Sequence, residues 1–190
     1  AKGNSIAGAM DVISRKTGLI ISLSHCNVLF MSTSAFELDH MQLIYPLTGM
    51  YALPEQTIIV TGDKSPSEML SLRIGTTISS PFFLQQALVN EEGSDGMIRT
   101  TAKDFLARSL SPSKANVVPY IVAKTTSPPL SETGGEEDVF EFDISRAMVF
   151  DERASRILDN EYAEILAIYH SHDVTGTLNY TASDGGTIEF

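Results

Sequence analysis

Glu161-Tyr-Ala-Glu-Ile-Leu-Ala-Ile-Tyr-His-Ser-His-Asp173 carries an apolar run that ends on two histidines. It reads as a strand, Tyr162–His172, finishing on that pair. Histidines two apart on a strand project to the same side, so His170 and His172 could share one metal ion. If they hold a metal, the chain is an enzyme. If they only end a strand, nothing else in the sequence nominates a catalytic site, and the chain is a building block.

Working outward, β-type segments dominate. On the C-terminal side, Val174–Thr181 and Thr187–Phe190 form an expected hairpin around Ser183-Asp184-Gly185-Gly186. On the N-terminal side, Val139–Ile144 alternates cleanly, with Val139, Glu141 and Asp143 opposed to Phe140, Phe142 and Ile144. Val117–Lys124 is a further strand, and Pro119 argues for an edge position. Gln56–Thr61 and Glu68–Ile74 flank Gly62-Asp63-Lys64-Ser65-Pro66, which has the residues of a hairpin connection. Leu19–Met31 is rich in β-formers, and Phe36–Tyr45 alternates before Pro46, placing Phe36, Leu38 and His40 on one face.

Helices are fewer. Ser80-Pro81 is a start signal, with Phe83, Leu84, Ala87 and Leu88 on one face of a helix Pro81–Asn90. A second covers Ala102–Leu110, with Thr101 as cap and Asp104 three residues on. A short helical turn is expected at Glu152–Leu158, capped by Asp151. Glu91–Gly96 and Thr125–Asp138 are linkers, the latter with the composition of an exposed loop. No βαβ rhythm points to a parallel sheet. The expected fold is therefore mainly β (α+β): an antiparallel β-barrel or sandwich with one or two helices packed on it. Residues 1–190 make a single domain, with an N-terminal arm at 1–17, an insert at 93–138 and a C-terminal hairpin at 174–190.

The 190 residues are enough for one well-buried domain, and 43% hydrophobic content supplies its core. The longest apolar runs, Gly18–Leu23 and Ile165–Tyr169, are too short to span a bilayer. The first ten residues lack the apolar core of a secretory signal, so no membrane partner is expected. One cysteine, Cys26, excludes an internal disulfide framework. The net charge of −11, with scattered basic residues whose densest pair is Arg15-Lys16, argues against a nucleic-acid reader. Such acidity either maintains solubility or lets a polyanion pass without sticking.

The segment Ile165–Asp173 resembles the His-Ser-His element of the JAMM (MPN) zinc isopeptidases. That motif needs a serine eight residues after its second histidine and an aspartate eleven after it; here those positions hold Tyr180 and Ser183. The missing aspartate is a metal ligand, so a site would need His25, His40 or Asp184 instead. Cys26 beside His25 fails as a nucleophile–base pair, because adjacent strand residues face opposite ways, and a buried, inert thiol is expected. The glycines lack the context of a phosphate loop. The carboxylates Glu132–Asp143 read as a solvated loop. No catalytic, cofactor-binding or metal residue is assigned, no cofactor is expected, and the chain is read as not an enzyme.

Taken in order, the elements resemble bacteriophage tail-tube proteins and their Hcp-like relatives. The carrying residues are Leu53-Pro54 before a strand, Gly62-Asp63 opening Glu68–Ile74, the helix Pro81–Asn90, and Asp159-Asn160-Glu161 leading into Tyr162–His170. That resemblance implies a structural virion protein assembled in the host cytoplasm. It would form a stacked, hexameric homo-oligomeric ring, contacting other tail proteins and letting DNA pass non-specifically. Alternatives are a JAMM-like hydrolase and another virion component: a decoration, terminator or connector protein.

Overall fold

The computed structural model describes residues 5–37, 40–74, 78–89, 97–126, 139–151, 154–170, 179–181 and 187–189. Among these lie six α-helices and nine strands. They are, in order, α1 (Ile6–Thr17), β1 (Val28–Phe30), a 3-10 turn (Thr33–Glu37), α2 (His40–Met50), β2 (Ile58–Gly62), α3 (Pro66–Ser71), β3 (Arg73–Ile74) and β4 (Ile78–Ser79). Then come α4 (Ser80–Val89), α5 (Ala102–Ser109), β5 (Asn116–Thr126), β6 (Val139–Phe150), β7 (Ser155–Leu158), α6 (Asn160–His170), β8 (Asn179–Thr181) and β9 (Thr187–Glu189).

Seven strands make one sheet in the order β1-β2-β5-β6-β3-β4, with β7 also pairing with β6. The α+β class holds. The sheet, however, is open rather than closed into a barrel, and it is mixed rather than antiparallel. β1 with β2, β2 with β5, and β3 with β6 run parallel; β5–β6, β6–β7 and β3–β4 run antiparallel. Parallel neighbours need crossovers, and helices supply them: α2 lies between β1 and β2 in sequence, and α3 to α5 lie between β2 and β5.

Helices cover both faces, which is why all five residues of β2 are buried and its Ile58-Ile59-Val60 run does not alternate. On one face Ile59, Val118, Tyr120, Met148 and Phe150 meet Ile44 and Leu47 of α2 and Phe105 of α5. Phe36 anchors that layer, its ring centroid 4.5 Å from that of Phe150 and 6.1 Å from that of Phe105. On the other face Ile58, Val60 and Ile121 meet Met69 of α3 and Leu84 and Leu88 of α4. Val117 and Ala147 receive Ala163 and Ala167 of α6.

Four expected β segments are different in the structure. Tyr162–His170 is helix: Ala163, Leu166 and Ala167, spaced three and four apart, pack on the sheet, a helical rather than an alternating pattern. The carbonyl of Asp159 accepts from the amides of Tyr162 and Ala163 and starts the first turn. Phe36–Tyr45 splits into the end of the 3-10 turn and the start of α2, where Ile44 and Leu47 are buried across Pro46. Most of Glu68–Ile74 is α3, because Ser65 and Glu68 form a reciprocal capping box with Pro66 in the first turn. Leu19–Met31 contributes only β1.

Of the expected helical turn at Glu152–Leu158, Ser155–Leu158 is instead β7, paired antiparallel with β6, and residues 152 and 153 lie outside the described residues. Pro119 lies inside an interior strand; the β2–β5 ladder begins one residue later, at Tyr120, so its missing N–H falls outside that ladder. The helix starts at Ser80 and Thr101 stand as expected, with Thr101 Oγ1 accepting from the Asp104 amide. β8 and β9 pair antiparallel within the expected C-terminal hairpin. Residues 1–17, expected as an arm, contain α1, whose Ile6 and Met10 pack on the first core layer. Most of both linkers lies outside the described residues.

Candidate functional site

The strongest polar feature lies where β6 bulges. β5 and β6 keep register from Asn116↔Phe150 to Tyr120↔Arg146, then resume at Val122↔Asp143. Ile144 and Ser145 therefore stand against the single residue Ile121. A bulge bends its strand and re-aims the neighbouring side chains. Asp143 Oδ1 closes it, accepting from the Ser145 amide at 3.1 Å and from the Ser145 hydroxyl. Asp143 Oδ2 lies 2.7 Å from Lys124 Nζ on β5. Arg146 Nε reaches Asp159 Oδ1 at 3.8 Å, linking the sheet to the start of α6.

Between these groups is an open cleft of about 550 Å³, lined by Asp143, Ser145, Arg146, Asp159, Asn160, Glu161 and Tyr162. The Lys124 ammonium, followed by the Ser145 hydroxyl, lowers the Asp143 carboxyl to about 2. On the neighbouring strand, burial raises the Tyr120 phenol; Asp63 adds to this and Arg146 opposes it. Asp63 Oδ1 accepts from the Ala123 amide, so the acid also ties the end of β2 to β5.

This arrangement is suited to binding rather than proton transfer. Ser145 donates to a carboxylate that stays ionised far below neutrality and is too weak a base to take its proton. The lining combines three carboxylates with the Arg146 guanidinium, so it offers charge of both signs at one water-open recess.

The sequence candidates do not converge there. His25 is exposed in the turn after Leu23, and Cys26 is half-buried with its thiol donating to the Val28 carbonyl at 3.3 Å. Burial pushes that thiol above its ordinary 9.0, with the hydrogen bond to Val28 opposing. His40 opens α2 and His170 closes α6. His172, Asp173, Ser183 and Asp184 lie outside the described residues, and Tyr180 is in β8. His170 itself is the last residue of a helix, not a position on the strand that the shared-metal reading assumes. Among the described residues, no group of three or more His, Cys, Asp or Glu side chains is placed to hold a metal. The sequence does not disclose the cleft as long as Asp159-Asn160-Glu161 reads as a turn into a strand. Asp before an acidic first turn and an Ala-Glu-Leu-rich run is a helix start signal.

The fold and cleft define a class: an open mixed-sheet α+β domain with a charged recess. Residues 1–123, just under two thirds of the chain, match the family of the spore germination protein N-terminal domain, and the chain belongs to that family. No curated protein and no solved structure matches it. The family overturns the tail-tube function, the phage structural role and the virion location. The match runs from α1 into β5 and ends before the cleft residues, which lie on β6 and at the start of α6.

Proposed function

We propose that this chain is a non-catalytic, receptor-type component of the apparatus that starts bacterial spore germination. The observation carrying the reading is the family match over residues 1–123. The cleft is consistent with it, offering charged groups for contact and an Asp143 carboxylate unsuited to acid–base work at neutral pH. In this reading the domain transmits or gathers a signal through contacts with other germination proteins.

Deleting the gene in its spore-forming host tests this directly. Spores lacking the protein should lose or slow the fall in optical density that marks germination, and the intact gene should restore it. Unchanged germination of deletion spores with every signal to which the parent responds would sink the proposal. Chromosomal replacement with Arg146→Glu then asks whether the cleft participates, with protein level checked by immunoblot.

A further inference from the structure

The loop after α1 holds two consecutive apolar side chains out in water: Ile20 is 97% exposed and Leu19 is 68% exposed. The loop is anchored at both ends. Gly18 ends α1 in the left-handed region at φ 70°, with its amide on the Ser14 carbonyl, and Leu19 N–H bonds to Thr17 Oγ1. Beyond the tip, the Leu23 amide bonds to the Tyr51 carbonyl at 2.8 Å and returns the chain to α2. The projecting pair therefore sits on a defined base.

Arg15 and Lys16, both exposed in the last turn of α1, adjoin this tip. They are the densest basic pair in a chain of net charge −11. Nearby Asp11 is 3.6 Å from Arg15 across one helical turn, with both side chains largely exposed. Adjacent apolar and basic side chains on a protruding tip match a surface with anionic headgroups above hydrocarbon. The acidic remainder does not forbid this, because charges farther than a Debye length of about 8 Å at physiological salt are largely screened.

We propose that the Arg15–Ile20 tip docks this domain on an anionic membrane surface, with Leu19 and Ile20 entering the headgroup layer. The contact is peripheral and reversible. It does not depend on the proposed role in germination.

The test is co-sedimentation of the 190-residue chain with vesicles of phosphatidylglycerol and phosphatidylcholine, against vesicles of phosphatidylcholine alone. Pelleting should occur with the first and fall at least fivefold with the second. It should fall similarly in Leu19→Ser/Ile20→Ser, weaken in Arg15→Gln/Lys16→Gln, and persist in Leu110→Ser, which removes an exposed leucine elsewhere. Circular dichroism should show all variants folded, since the altered side chains are exposed. Absence of pelleting with anionic vesicles, or pelleting indifferent to Leu19→Ser/Ile20→Ser, overturns the proposal. So does vesicle-independent self-association, seen by analytical ultracentrifugation, that the same double substitution abolishes. That outcome would make the tip a protein interface.

Discussion

Gly62, at the end of β2, is where one added carbon would be costly. A Cβ there would meet the Ile121 carbonyl oxygen at 2.5 Å, Met69 Cε at 2.9 Å and Phe30 at 3.0 Å. Backbone on one side and core on two others leave little room to relax. Gly62→Ala should therefore cost about 1–3 kcal/mol in urea unfolding, the usual range for overpacking. Asp143 carries a different signature. Its folded pKa, about 2, lies below the ordinary 3.8, so its contribution is present above the ordinary value and lost as pH falls from near 4 toward 2. With Lys124 more than half exposed, the effect is about 1–2 kcal/mol after solvent screening. Asp143→Asn should flatten that part of the stability–pH curve, measured by denaturant titration.

At the scale of elements, α6 shows how a short apolar run can be read in two ways. Ala163 and Ala167 are 3% and 2% exposed, and their small side chains let the helix lie close on Val117 and Ala147. Ala167→Leu should destabilise the fold by about 1–3 kcal/mol through overpacking, read as a lower midpoint in thermal unfolding. A true exposed strand position would tolerate it. Elements whose ends carry local chemistry were legible beforehand: Ser80-Pro81 and Thr101-x-x-Asp104 start helices in the sequence reading and in the structure. β5 was legible from its apolar run, and β6 from its alternation only as far as Ile144; its second half, up to Phe150, was not. α2 and α6 were not, because their apolar positions satisfy both a period of two and a period near 3.6 over eleven residues, and α3 was not, because its only large apolar residues, Met69 and Leu70, are adjacent and set no period. The capping box Ser65-x-x-Glu68 was the available signal for α3. The cleft depended on β6 and α6 meeting in space, which neither segment discloses alone.

For the whole molecule, the family match and the physical domain have different limits. Residue 123 falls inside β5, whose antiparallel ladder with β6 continues on both sides of that point. A chain cut after Ala123 loses β6, β7 and α6, and with them Met148, Phe150, Ala147, Ala163 and Ala167 from the core. It should fail to fold cooperatively, giving a broad thermal transition and rapid proteolysis; a chain ending at His170 should retain a single sharp transition. The same layout has a consequence for biosynthesis. β2 is buried on both faces, yet its β5 neighbour lies far along the chain, with Thr61 paired to Tyr120. During translation β2 emerges with β1 available for one edge, but well before the backbone that meets the other: Thr100 and Thr101 at Ile58 and Ile59, and β5 at Thr61 and Gly62. Until then the nascent chain presents an apolar ribbon with one edge open, so its survival depends on α2, α3 and α4 shielding the strand early or on a chaperone doing so.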